Sequence, residues 1–157
     1  MPVLAFLGPS AHLAPWPLSA FFALRYHDDV AYLAVALGGA IGATARYALA
    51  GFVHRFASPS FPWGTFIVNI SGCFVFGLIA GLGDARGGLG SLTRAFLLIG
   101  ILGGYTTFSS FTFETMGLLR SGQMPQAIAN VVGQVVLGLL AFWAAWALAT
   151  AAAGGRP

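Results

Sequence analysis

The chain is 157 residues long, 58% hydrophobic and only 7% charged, whereas a soluble domain carries about 25% charged residues. This excludes a soluble globular protein: it is an integral membrane protein, too short for a helical bundle plus a separate soluble domain. The net charge of +3 is spread over loops and ends and makes no nucleic-acid patch, while the lone Cys73 excludes an internal disulfide and a thiolate metal site.

Residues 1–30 read as an N-terminal extension, expected to be poorly ordered. Pro2, Pro9, Pro15 and Pro17 punctuate short apolar pieces, and the longest of these, Leu18 to Leu24, cannot span a bilayer. A basic leading region is missing and Arg25 follows the apolar part, which argues against a secretory signal. A four-helix transmembrane domain is expected over 31–151, followed by a tail at 152–157. About 20 residues at 1.5 Å rise cross ~30 Å of hydrocarbon, and four stretches meet that length: 31–53, 63–83, 94–119 and 125–150. Pro62 and Pro125 stand where the second and fourth begin, positions at which a missing N–H is harmless. The connections are short, so the spans alternate up and down. The expected fold is all-α.

Orientation is weakly encoded. Arg25, Arg86, Arg94 and Arg156 fall on one side and Arg55 and Arg120 on the other, so the positive-inside rule has little to act on. A protein that inserts both ways would pair antiparallel copies about a two-fold axis in the membrane plane. Inverted repeats are a recurring transporter design, and one short chain could supply both halves as a dimer. Glycine repeats at Gly38 and Gly42, Gly77 and Gly81, and Gly100 and Gly104 suit close helix packing.

Polar groups in hydrocarbon are costly and become functional candidates. Arg46, in the first span, either snorkels to the interface or sets a positive vestibule that attracts anions. Asn69 falls near the middle of the second span, where an amide can glue helices or offer N–H donors to an ion. In the fourth span Asn130 and Gln134 lie one turn apart on one face, as interhelical hydrogen-bonding groups or pore candidates. Glu114 could accept from Ser110, four residues earlier, or from an Arg of a neighbouring helix.

The third span is built to interrupt a helix. Gly103-Gly104 lack a Cβ, and Thr106-Thr107 and Ser109-Ser110 carry hydroxyls that compete for backbone partners. Backbone that leaves the helix at membrane depth is tolerated where it is buried in protein or lines a wet cavity. Phe108 and Phe111 share a face beside this break. Ring edges are positive and can line an anion's path without holding it as an Arg would, while Ser, Thr and Asn donors replace shed water. Conduction requires that no site bind too tightly.

With these residues assembled, the chain resembles the Fluc (CrcB) family of fluoride ion channels from about Ala34 to Ala149. The motifs are Gly38-Gly-x-x-Gly-x-x-x-Arg46-Tyr47, Gly64-Thr-x-x-x-Asn69-x-x-Gly72, and Gly103-Gly-Tyr-Thr-Thr-Phe-Ser-Ser-Phe111 with Glu114. The resemblance implies a dual-topology antiparallel homodimer in the cell's inner or plasma membrane, with two pores that export fluoride passively and reduce its toxicity. By similarity, Phe108 and Phe111 would be the pore phenylalanines, Asn69 the pore amide, and Ser110 and Ser109 members of the polar track; Asn130 is a further pore candidate from its place in the fourth span. Arg46 would make the entrance positive. Backbone carbonyls of Gly103 and Thr106 would hold one structural Na⁺ shared by two subunits. The family often has Tyr then Ser where this chain has Asn130 and Gln134, so the hydroxyl track is altered there.

The competing reading is a small four-helix multidrug transporter coupled to protons. That class needs an embedded acid in its first helix, and residues 31–53 contain none. A third reading is a non-transporting membrane subunit in which the break serves only packing. No nucleophile–base pair, metal cluster or phosphate loop appears, which argues against an enzyme.

Overall fold

In hydrocarbon each backbone amide must find its partner within its own segment, so an apolar chain of this composition forms helices. The computed structural model describes residues 29–154. The N-terminal extension up to residue 28 and residues 155–157, with Arg25 and Arg156, lie outside the described residues. The described chain is all-helical: α1 (Asp29–His54), α2 (Trp63–Ala85), α3 (Ser91–Arg94), a π-helical stretch Ala95–Leu102, α4 (Gly103–Tyr105), α5 (Phe108–Arg120) and α6 (Met124–Ala152). Four segments are long and apolar enough to cross a membrane, with Ser91–Arg120 forming the third. Each runs one to three residues past the stretch expected from hydropathy at one or both ends, because helical hydrogen bonding continues into the interface where polar residues are tolerated. Asp29 in the first turn of α1 and Arg120 in the last turn of α5 complement the helix dipole at those ends. Gly122, with φ of 74°, takes the left-handed conformation that reverses the chain after α5, and the Gln123 N–H caps Leu118 O at 2.9 Å.

Glycine sets which helices touch. A Cβ on Gly38 would lie 2.6 Å from Phe96 O, one on Gly104 would lie 2.6 Å from Gly39 O, and one on Gly42 would overlap Ile101 O. The first and third spans therefore meet backbone to backbone along two crossed glycine pairs, Gly38 with Gly42 and Gly100 with Gly104. A second seam joins α2 to α6: a Cβ on Gly81 would lie 2.7 Å from Trp146 O, and one on Gly77 would overlap Phe142 O. Trp146 Nε1 donates to Asp84 Oδ2 at 2.9 Å near the end of that seam. The largest fully buried side chains among the described residues are Val68 and Asn130, so a polar residue shares the deepest packing with a valine. Outside, Leu139, Leu140 and Trp143 are exposed, as expected where lipid is the solvent.

The third span changes character along its length. In the π-helical stretch the Gly103 N–H reaches back to Leu98 O, one residue further than in an α-helix. After the single turn of α4, Thr106 (φ −82°, ψ 156°) and Thr107 (φ −149°, ψ 120°) are extended. The helix resumes at Phe108, where Thr107 Oγ1 accepts the Ser110 N–H at 3.2 Å as an N-cap.

Candidate functional site

Two extended residues inside a membrane span leave backbone groups that must be satisfied by something other than their own helix. Asn69 of α2 does this for Thr107. Its Nδ2 donates to Thr107 O at 3.0 Å, and its Oδ1 accepts the Thr107 N–H at 2.9 Å. The amide thus reads both faces of one peptide residue, replacing the helical bonds lost there. The second Nδ2 hydrogen goes to Gln134 Oε1 of α6 at 2.6 Å. From Gln134 the chain continues: Nε2 donates to Asn130 Oδ1 at 2.8 Å, Asn130 Nδ2 donates to Thr115 Oγ1 at 2.9 Å, and Thr115 Oγ1 donates to Phe111 O at 2.7 Å. One continuous run of bonds, all pointing the same way, links Thr107 to Phe111 through α2 and α6.

Beside this run lies an open cavity of about 410 Å³ walled by Asn69, Gly72, Cys73, Phe76, Thr106, Thr107, Phe108, Phe111, Gln134, Val135 and Phe142. The Phe108 and Phe111 rings stand 5.4 Å apart, tilted 47° to each other. Phe108 is 79% exposed, while Phe111 is half-buried. Close to the cavity, Tyr105 Oη and Ser71 Oγ pair at 2.8 Å. A Cβ on Gly72 would overlap the Thr106 methyl, so that glycine lets the extended segment approach α2.

The structure brings some of the expected site residues together and not others. Asn69, Thr106, Phe108 and Phe111 share the cavity wall. Ser109 is exposed and Ser110 half-buried in the first turn of α5, where Thr107 Oγ1 donates to Ser110 Oγ at 3.1 Å; neither serine lines the cavity. Asn130 is fully buried behind Gln134 and off the wall, so its place is that of a support. Gln134, which the sequence offers as a hydrogen-bonding group or a pore candidate, lies on the wall. Arg46 is half-buried on α1 and is not a wall residue, and Gly103 is exposed. Among the described residues, Glu114 accepts from neither Ser110 nor an arginine. Thr65 Oγ1 of α2 donates to its Oε1 at 2.6 Å, and its Oε2 is buried without a partner. Nothing local predicts that bond, because the partners are far apart in sequence; the only signal is that Thr65 and Glu114 both fall in polar positions of apolar spans.

The described residues form a multi-pass helical protein with an aromatic and amide-lined cavity beside the extended Thr106 and Thr107. The comparison with known families is specific. The model of the CrcB-like protein, Camphor Resistance (CrcB), matches residues 33–146, and the chain belongs to this family. Among its relatives, the fluoride-specific ion channel FluC of Opitutus terrae is 47% identical over 114 residues, covering 71% of this chain and 86% of that protein. That of Nitratidesulfovibrio vulgaris is 49% identical over 107 residues, 68% of this chain and 86% of the relative. The Methylocella silvestris protein of the same name is 42% identical over 122 residues, 76% and 93% respectively.

Proposed function

We propose that this chain is a fluoride-specific ion channel, a multi-pass membrane protein that lets fluoride leave the cell passively. One observation carries the reading: the cavity at Thr106–Thr107 combines two phenylalanine rings with amide groups and no fixed charge on its wall, in a chain whose relatives bear that name. Small hydrated anions need replacement donors as they lose water, yet must not be held by a full positive charge, or they would not leave. Positive ring edges of Phe108 and Phe111 and neutral N–H donors meet both demands.

The functional unit is an antiparallel homodimer with two pores. Phe108 is largely exposed on a single chain, and a bare ring edge facing lipid could not guide an ion through water. A second copy would cover it, complete the conduit and account for the weak charge bias of the loops. The break in the third span supports one further element, a structural Na⁺. The Thr107 N–H, which would bond Gly103 O in an unbroken α-helix, is taken by Asn69 Oδ1. The Ser110 N–H, which would bond Thr106 O, is taken by Thr107 Oγ1. The carbonyls of Gly103 and Thr106 are thereby relieved of their helical donors, and hard oxygens suit such a cation. Held there, the ion would supply positive charge that fixes the break and joins the subunits. Arg46 would act at a distance, by making the aqueous approach positive.

The test is efflux from liposomes containing the purified protein, with fluoride and chloride followed by ion-selective electrodes. Fluoride should leave and chloride should not; equal leak of both, or no fluoride leak, would sink the reading. Phe108→Ile and Phe111→Ile should each abolish fluoride flux while the dimer persists on gel filtration. Reporter fusions at Pro157 should read both sides of the membrane; a one-sided result refutes antiparallel assembly.

A further inference from the structure

We infer that Gln134, not Asn69, offers the anion-facing side-chain donor of this cavity, and that Asn69 is the positioning residue that aims it. The inference rests on the channel reading above.

The available hydrogens can be counted. An N–H can only donate and a carbonyl can only accept, so the Thr107 backbone fixes which way the Asn69 amide faces: Oδ1 to the N–H, Nδ2 to the carbonyl. A primary amide has two N–H groups, and the second of Asn69 is spent on Gln134 Oε1 at 2.6 Å. That bond in turn fixes Gln134, which must show Nε2 to the far side, where one hydrogen meets Asn130 Oδ1. The other polar walls are also committed. Thr106 Oγ1 donates to Leu102 O at 2.9 Å, and Thr107 Oγ1 donates to Ser110 Oγ. Of the four polar side chains on the wall, only Gln134 retains an N–H, the second on its Nε2. Cys73 adds a thiol, a weak donor. Asn130 also has a spare N–H, but it is fully buried and away from the cavity.

Polarisation along the run strengthens this assignment. Each amide that donates onward becomes a better acceptor at its oxygen, so Gln134 is held firmly at both ends on a residue that lines the cavity. A single neutral donor beside two ring edges favours a small, hard acceptor over a large diffuse one.

The experiment compares two variants that each break two bonds of the run. Gln134→Met removes the donor. Asn130→Ala spares it and releases the second Nε2 hydrogen as well. Fluoride efflux from liposomes is measured against fluoride concentration, alongside thermal unfolding of the same preparations. A hydrogen bond to a charged group corresponds to a roughly 10- to 100-fold change in affinity. Gln134→Met should therefore raise the half-saturating fluoride concentration by about that factor, whereas Asn130→Ala should lower it, with both melting below wild type. If Gln134→Met does not fold, Gln134→Glu, which keeps the acceptor for Asn69, replaces it with the same expectation. An unchanged half-saturation in the Gln134 variant, or an equal rise in both variants, overturns the assignment. Wild-type liposomes that fail to release fluoride would overturn the channel reading itself, a result distinct from either.

Discussion

The two halves of the third span solve the same problem by opposite means. Before Thr106, contact with α1 is made by backbone against backbone, and specificity comes from leaving side chains out at Gly100 and Gly104. After Thr107, contact with α2 and α6 is made by side chains reaching for backbone, and specificity comes from Asn69, Gln134, Asn130 and Thr115. The first half, from Ala95 to Gly104, is tight and apolar and has no polar side chain to offer an ion. The second is polar and borders a cavity. A membrane helix can be fixed by absence on one side and by commitment on the other, and function gathers on the committed side.

This contrast can be broken at graded cost, read by thermal unfolding of the purified protein in detergent. The largest effect is expected at Asn69→Leu, which strands the Thr107 N–H, the Thr107 carbonyl and Gln134 Oε1. At about 1–3 kcal/mol for each orphaned group, the loss should reach about 3 kcal/mol or more, with fluoride flux abolished. Next comes Gly104→Ala, whose new methyl would sit 2.6 Å from Gly39 O; overpacking of this kind costs about 1–3 kcal/mol. Thr107→Val removes the cap on the Ser110 N–H and should cost about 1 kcal/mol. The smallest effect is expected at Gly103→Ala, where nothing stands closer than 3.8 Å to the added carbon, with a change below about 0.5 kcal/mol. Equal melting of the Gly103 and Gly104 variants would mean that the seam with α1 is not where the glycine geometry puts it.

Much of this arrangement was legible in the chain, for reasons that can be traced to residues. Four spans follow from apolar length, and their pairing is foreshadowed by Gly38 with Gly42, Gly77 with Gly81 and Gly100 with Gly104. Asn69 announced itself as a lone amide at mid-span, and Thr106-Thr107 as residues that compete with helix bonds. The partners were not legible. That Thr65 serves Glu114, and that Asn69 serves Thr107, depends on which faces of distant helices meet, and no local pattern encodes it. The π-helical stretch was hidden as well, because Ala95 to Leu102 reads as ordinary apolar helix. Asn130 and Gln134 stood out as a pair one turn apart, but only the fold shows that one is a buried support and the other a wall.

The head-to-tail order of the amide run carries a consequence for how this site can change through descent. A hydroxyl can both give and receive, so a serine or threonine fits a chain of either polarity. An amide whose two ends are fixed by the Thr107 backbone has no such freedom, and a carboxylate at position 69 would have no hydrogen for Thr107 O or Gln134 Oε1. Substitutions at positions 69, 130 and 134 should therefore arrive in correlated pairs, or pass through a hydroxyl intermediate. A lineage that fixed amides at 130 and 134 together has made each of them a condition for keeping the other.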